Sequence, residues 1–236
     1  MIGFVKAVSV VLLGLLPAMA ADTPTLESTR ANEDVRLTLD PASSFWNKAR
    51  SVFLEKDTSG NLKPDIRTEV RTRWTKDNLY FLFICPYQEL HLKPEPNIKE
   101  ETNKLWNWEV AEAFIGSDFS DIQRYKEFEV SPQSEWVDLD IDLHKPHHED
   151  GWTWNSGFEV LARIDPHKHI WYAAMRIPFS AIDTRPPAPG NTLRINLFRS
   201  GGSPQHPYGI NWQPTMSKTF HTPEKFGLIK LVEEDK

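Results

Sequence analysis

Acidic residues are the first place to look for chemistry, because the 236-residue sequence carries 33 of them. Glu109 and Glu112 stand three apart in a strand-like run, which sends them to opposite faces. Asp138, Asp140 and Asp142 alternate along another run and share a face. Glycosidic hydrolysis needs two carboxylates held across a cleft at a set separation. No local spacing in the sequence supplies that pair, and a solvated sheet face accounts for these acids more simply. His144, His147, His148, Glu149 and Asp150 crowd one polar stretch that reads as an exposed loop. Zinc chemistry calls for HExxH or paired cysteines, and neither occurs. Acidic loops offer the oxygen donors that calcium prefers, but the EF-hand spacing is missing. No metal-ligand set follows from spacing. There is no GxSxG and no glycine-rich phosphate loop. Met175 lies in an alternating run and reads as core rather than as a haem ligand. No catalytic residue and no organic cofactor emerge.

The aromatic residues are the more informative set: nine Trp, thirteen Phe and five Tyr. Several indoles sit beside polar or turn residues: Trp106 and Trp108, Trp152 and Trp154, and Trp212. An indole next to Asn and Glu suits a sugar. The ring covers the C–H face of a pyranose, while amides and carboxylates bind its hydroxyls. Core packing competes as an explanation for every Trp. It competes least for Trp106, which precedes a strand from a polar loop.

The elements that would position these groups are strands. Runs at 68–74, 79–85, 109–115, 125–130, 136–143, 158–164, 170–177, 193–199 and 226–231 alternate or are apolar on both faces. Turn signals separate them. The run at 79–85 is apolar throughout, as a central strand is, and ends in the single cysteine, Cys85, read as a packed and inert thiol. Helices are expected only at 42–50 and 179–182. The pattern predicts an antiparallel β-sandwich, jelly-roll-like, with short peripheral helices. The formal charge of −6 and the absence of a basic block argue against a nucleic-acid partner. A mean hydropathy of −0.49 excludes a multi-span membrane protein. Residues 1–20 read as a signal peptide: Lys6, an apolar run, Pro17, and Ala18-Met19-Ala20 before the expected cleavage after Ala20. Secretion or periplasmic export is expected, with no membrane attachment after signal removal. Residues 21–34 are expected to be a flexible lead-in, and 35–236 a single domain.

In order along the chain, several blocks resemble the family 9 carbohydrate-binding modules, within the wider DOMON-like β-sandwich group. They are Asp40…Phe45-Trp46-Asn47-Lys48, Thr68-Glu69-Val70-Arg71…Trp74, Asp77-Asn78-Leu79-Tyr80, Leu105-Trp106-Asn107-Trp108-Glu109-Val110, Tyr125-Lys126-Glu127-Phe128, Arg176-Ile177-Pro178-Phe179, Pro189-Gly190-Asn191 and Thr222-Pro223-Glu224-Lys225-Phe226-Gly227. The resemblance implies non-catalytic binding of oligo- or polysaccharide, with any catabolic activity residing in a partner. It places a sugar between two aromatics, Trp106 and Phe220, with Glu112 binding its hydroxyls. Better-known binders carry Trp where this chain has Phe220, and Phe offers less stacking area and no N–H. Structural calcium is also implied, with acids of 118–150 as ligand candidates. Three rivals follow: a glycoside hydrolase acting on O-glycosyl bonds, a sandwich-fold interaction protein that has lost its sugar site, and a haem-binding cousin.

Overall fold

The computed structural model describes residues 23–234. The expected signal segment and its cleavage point lie outside the described residues. Twelve strands are joined in one hydrogen-bonded sheet: β1 (Thr25–Arg30), β2 (Arg50–Leu54), β3 (Thr68–Trp74), β4 (Asn78–Pro86), β5 (Val110–Gly116), β6 (Arg124–Val130), β7 (Trp136–Asp142), β8 (Glu159–Asp165), β9 (Ile170–Pro178), β10 (Thr192–Gly201), β11 (Tyr208–Asn211) and β12 (Gly227–Val232). Their order is β7-β6-β5-β10-β12-β1-β3-β4-β9-β8, with β11 added to β10 and β2 to β3. Every pairing is antiparallel except those of β1, which runs parallel to both β12 and β3.

The two halves of this order fold face to face, as the expected sandwich requires. Their inner faces meet in a core that includes Phe81 and Phe83 of β4, Trp171 and Met175 of β9, Phe128 of β6 and Leu197 of β10. Each such side chain contributes about 1.5–3 kcal/mol through the surface it hides from water. The outer faces are covered as well. Phe45 and Trp46 lie over Tyr80 and Leu82, which explains why β4 is apolar on both sides. Leu105 and Phe226 cover part of the outer face of β5, β6, β7 and β10, over Phe114, Tyr125, Leu139 and Phe198. Cys85 is buried and its thiol is pushed up to about 12 by that burial, which fits a packed group.

Two expectations are corrected. Within the flexible lead-in expected over 21–34, residues 25–30 instead form β1, in the middle of the sheet. Its composition conceals this because its buried polar groups find partners: Ser28 Oγ meets Thr72 Oγ1 at 3.0 Å and Thr29 Oγ1 donates to the Lys48 carbonyl at 3.0 Å. The helix expected over 42–50 reduces to a single 3₁₀ turn, Trp46–Lys48, and Arg50 already begins β2. Burial of the Trp46 ring, with Nε1 donating to the Thr38 carbonyl at 2.8 Å, fixes that turn in place of a longer helix. The short helix after Pro178 forms over Phe179–Ile182.

Candidate functional site

The outer face of β5 carries Val110, Glu112 and Phe114, while Ala111, Ala113 and Ile115 turn into the core. A 3₁₀ turn, Leu105–Asn107, leads into the strand. Lys104 starts it with φ 62°, a left-handed conformation uncommon outside glycine. Leu105 is driven into the outer-face cluster, and Trp106 stays half-buried beside it. The segment before β12 approaches from the other side. Its Phe220 stacks on Phe198 of β10 with centroids 4.3 Å apart and planes 15° apart. Gly209 permits that approach, since a Cβ there would lie 2.7 Å from the Phe220 ring.

Between these walls lies a cavity of about 630 Å³, lined by Trp106, Glu112 and Phe220 together with Glu127, His148 and His221. The three residues expected to meet a sugar therefore share one cavity. Lys104 and Lys218 stand exposed on its rim. On the wall, the Tyr125 hydroxyl and His221 Nδ1 are 2.6 Å apart. Burial, with help from the charge of His148, lowers His221 to about 4 and keeps the ring neutral at ordinary pH.

The floor is unusual. Glu112 is directly opposite Glu129 across the β5–β6 ladder, and Glu127 lies two residues along on the same face. Their exposures are 2%, 0% and 4% for Glu112, Glu129 and Glu127. One carboxylate oxygen from each lies within 4.8 Å of the others. Ser200 Oγ donates to Glu112 at 2.9 Å. No N–H or hydroxyl donates to either oxygen of Glu129 or to Oε2 of Glu127. Burial first, and then the neighbouring Glu127, raises Glu112 to about 8. Burial raises Glu127 to about 7, and burial together with the other two acids raises Glu129 well above the usual carboxylate range.

The remaining sequence candidates fall elsewhere or play other parts. Trp108 stacks on His91 at 4.7 Å, and Trp154 has Lys126 Nζ 4.4 Å from its ring centre. Trp212 packs against the inner core, and Trp152 against the outer-face cluster of Leu105 and Phe226. A second cavity of about 510 Å³ borders Trp154, but the lysine competes for the face of that ring. The loop acids of 118–150 are largely engaged: Asp140 with Lys126, Asp121 with His144 and Arg124, Asp142 with Arg124. Asp138 is buried rather than solvated, because residues 154–158 cover it and the Ser156 N–H donates to it at 2.7 Å. Glu109 and Glu112 do face opposite sides. Glu127, Glu129 and His221 were not singled out as sugar-site residues in the sequence, and His148 was read as part of an exposed loop. Glu127 and Glu129 alternate with Phe128 and so read as solvent-facing, and only the covered outer face makes them buried.

Comparison with known proteins identifies the family of this fold. The family model described as "Carbohydrate family 9 binding domain-like" matches residues 41–234. The chain belongs to that family, a group of non-catalytic carbohydrate-binding modules. Two solved structures of a family 9 module from Caldicellulosiruptor kristjanssonii share its fold. One, in complex with glucose, has a TM-score of 0.64 at 13% identity, covering 90% of this chain and 98% of that one. The other, in complex with cellotriose, has a TM-score of 0.63 at 13% identity, covering 90% and 96%. A protein of Arthroderma benhamiae named "Extracellular protein" is 24% identical over 200 residues, 79% of this chain and 87% of its own length.

Proposed function

We propose that this protein is an exported, non-catalytic carbohydrate-binding protein whose ligand lies in the cavity between Trp106 and Phe220. The observation that carries this reading is the convergence on one cavity of Trp106 and Glu112, from β5 and the turn that leads into it, with Phe220, from the distant segment before β12. Trp106 stacks on one face of a sugar ring and Phe220 on the other. Phe220 has its far face held by Phe198, so it is a rigid platform. Glu112 hydrogen-bonds a hydroxyl. Because burial lifts it to about 8, it carries a proton in metal-free neutral solution and can donate as well as accept. Export is supported by the signal-like first twenty residues and by the relative named an extracellular protein. Among the described residues, no helix is long and apolar enough to cross a membrane.

Glucose and cellotriose are the first ligands to try, followed by a glycan array. Trp106→Ala should weaken binding roughly tenfold or more, since stacking adds about 0.5–1.5 kcal/mol beyond the area it covers. Its melting temperature should stay close to that of the unaltered protein, because Trp106 is only half-buried. Unfolding of the variant, or unchanged affinity in a folded one, would remove Trp106 from the site.

A further inference from the structure

Stacking and one carboxylate leave two buried glutamates without a task. A buried carboxylate is normally paired or hydrogen-bonded, since an isolated charge out of water is costly. Glu129 is fully buried directly opposite Glu112, no N–H or hydroxyl donates to either of its oxygens, and its one hydrogen-bonding neighbour is the carboxyl of Glu127. Glu127 has an orphaned oxygen as well. Glu112 and Glu129, directly across the ladder, also repel each other whenever both ionise.

The three carboxylates have the spacing of a ligand set. Calcium holds its oxygens at about 2.3–2.6 Å, so two ligands of one ion are at most about 5 Å apart. The glutamate oxygens lie within 4.8 Å of one another, inside that limit. Magnesium, at about 2.0–2.1 Å, needs its ligands no more than about 4.2 Å apart, a narrower limit. Hard carboxylate donors favour these ions over copper or zinc. We propose that Glu112, Glu127 and Glu129 form a binding site for a divalent cation of the calcium class at the floor of the cavity, and that hydroxyls of the bound sugar complete its coordination. The second half rests on the sugar reading above; the first does not. Three carboxylates provide only part of the six to eight oxygens calcium takes. The rest must come from the cavity side, where water or a pair of neighbouring sugar hydroxyls can reach the ion. Lys104 and Lys218 on the rim balance the remaining negative charge.

Calcium chloride titrated calorimetrically into chelator-treated protein tests the site directly. One ion should bind per chain at this floor. Repeating the titration in buffers of different ionisation enthalpy should reveal proton release, because raised carboxyls must ionise to ligate. Glu129→Gln and Glu127→Gln should each lower the affinity at least tenfold. Asp140→Asn, which alters an exposed acid bound to Lys126, should leave it unchanged. No binding at millimolar calcium, or full binding in both glutamine variants, overturns the cation site. Glucose and cellotriose affinity is then measured with calcium and with chelator. Loss in chelator supports the coordinated sugar, and equal affinity in both overturns it. Calcium binding without sugar binding under either condition defeats the sugar reading while leaving the cation site intact.

Discussion

Two buried acids three residues apart, Glu109 and Glu112, meet opposite treatment. Glu109 is fully buried at the end of the inner core and bound to Arg199, itself fully buried, with Nη2 2.9 Å from Oε1. Tyr208 donates its hydroxyl to the same carboxylate. Arg199 in turn donates to the Pro86 carbonyl at 2.7 Å and to Thr68 Oγ1 at 3.2 Å. That charge is closed on every side by protein. Glu112 faces the other way and is met by Glu127 and Glu129 instead of a base. Ser200 is the donor it has. The same short stretch thus builds one ion pair for architecture and leaves one cluster of acids open toward a cavity. A fold that can close the first so fully leaves the second unclosed where a ligand can complete it.

The sharpest way to break this comparison is Arg199→Met. It strands Glu109 in the core and should cost about 3–5 kcal/mol of stability, the usual penalty for removing one partner of a buried pair. Denaturant unfolding would measure it, and a loss below about 1 kcal/mol would mean the pair is no structural clamp. Glu129→Gln should act in the opposite sense. In chelator it replaces an ionisable group that burial and its acidic neighbours disfavour with a neutral amide, and should raise the melting temperature by roughly 2–4 °C, the shift that about 1 kcal/mol produces in a domain of this size. A drop in melting temperature would show that Glu129 is already satisfied. The smallest effect is on pH dependence. Between pH 6.5 and 8 the unfolded chain has already released its carboxyl protons, while Glu127, raised to about 7, and Glu112, raised to about 8, release theirs only within this window, and Glu129 is raised as well. The native state then binds more protons than the unfolded one, so stability falls as pH rises through this window. His221 works in the other direction, but only between its lowered value of about 4 and the ordinary 6.5. Melting curves in chelator should decline from pH 6.5 to 8, and Glu129→Gln should flatten the decline.

The strands that alternate strongly were legible from sequence to within a residue or two, and so was the hairpin of β3 and β4. Their side chains alternate between a dry interior and a more polar outside, or are dry on both sides. The misses share a cause. β1 spends its interior positions on Ser and Thr that hydrogen-bond their neighbours, so composition did not mark it. β2 and β11 are short additions to longer strands. For the candidate site, Trp106, Glu112 and Phe220, which line one cavity, were named through family resemblance, with residue types that suit a sugar. Glu127 and Glu129 were not, because period-two logic cannot tell a solvated face from one roofed by distant segments. His148 and His221 arrive from loops whose course no local pattern encodes.

The placement of β1 sets a clock on assembly. β1 and β12 are the seam between β10 on one side and β3 on the other, and Leu26 finds its partner at Ile229. Until β12 has been made, the half-sheet ending in β10 cannot be stitched to the half beginning at β3. Contacts so distant along the chain form slowly. During synthesis the two halves wait with open edges that attract stray strands. A chain whose sandwich closes only with its last strand keeps those edges open until that strand has been made.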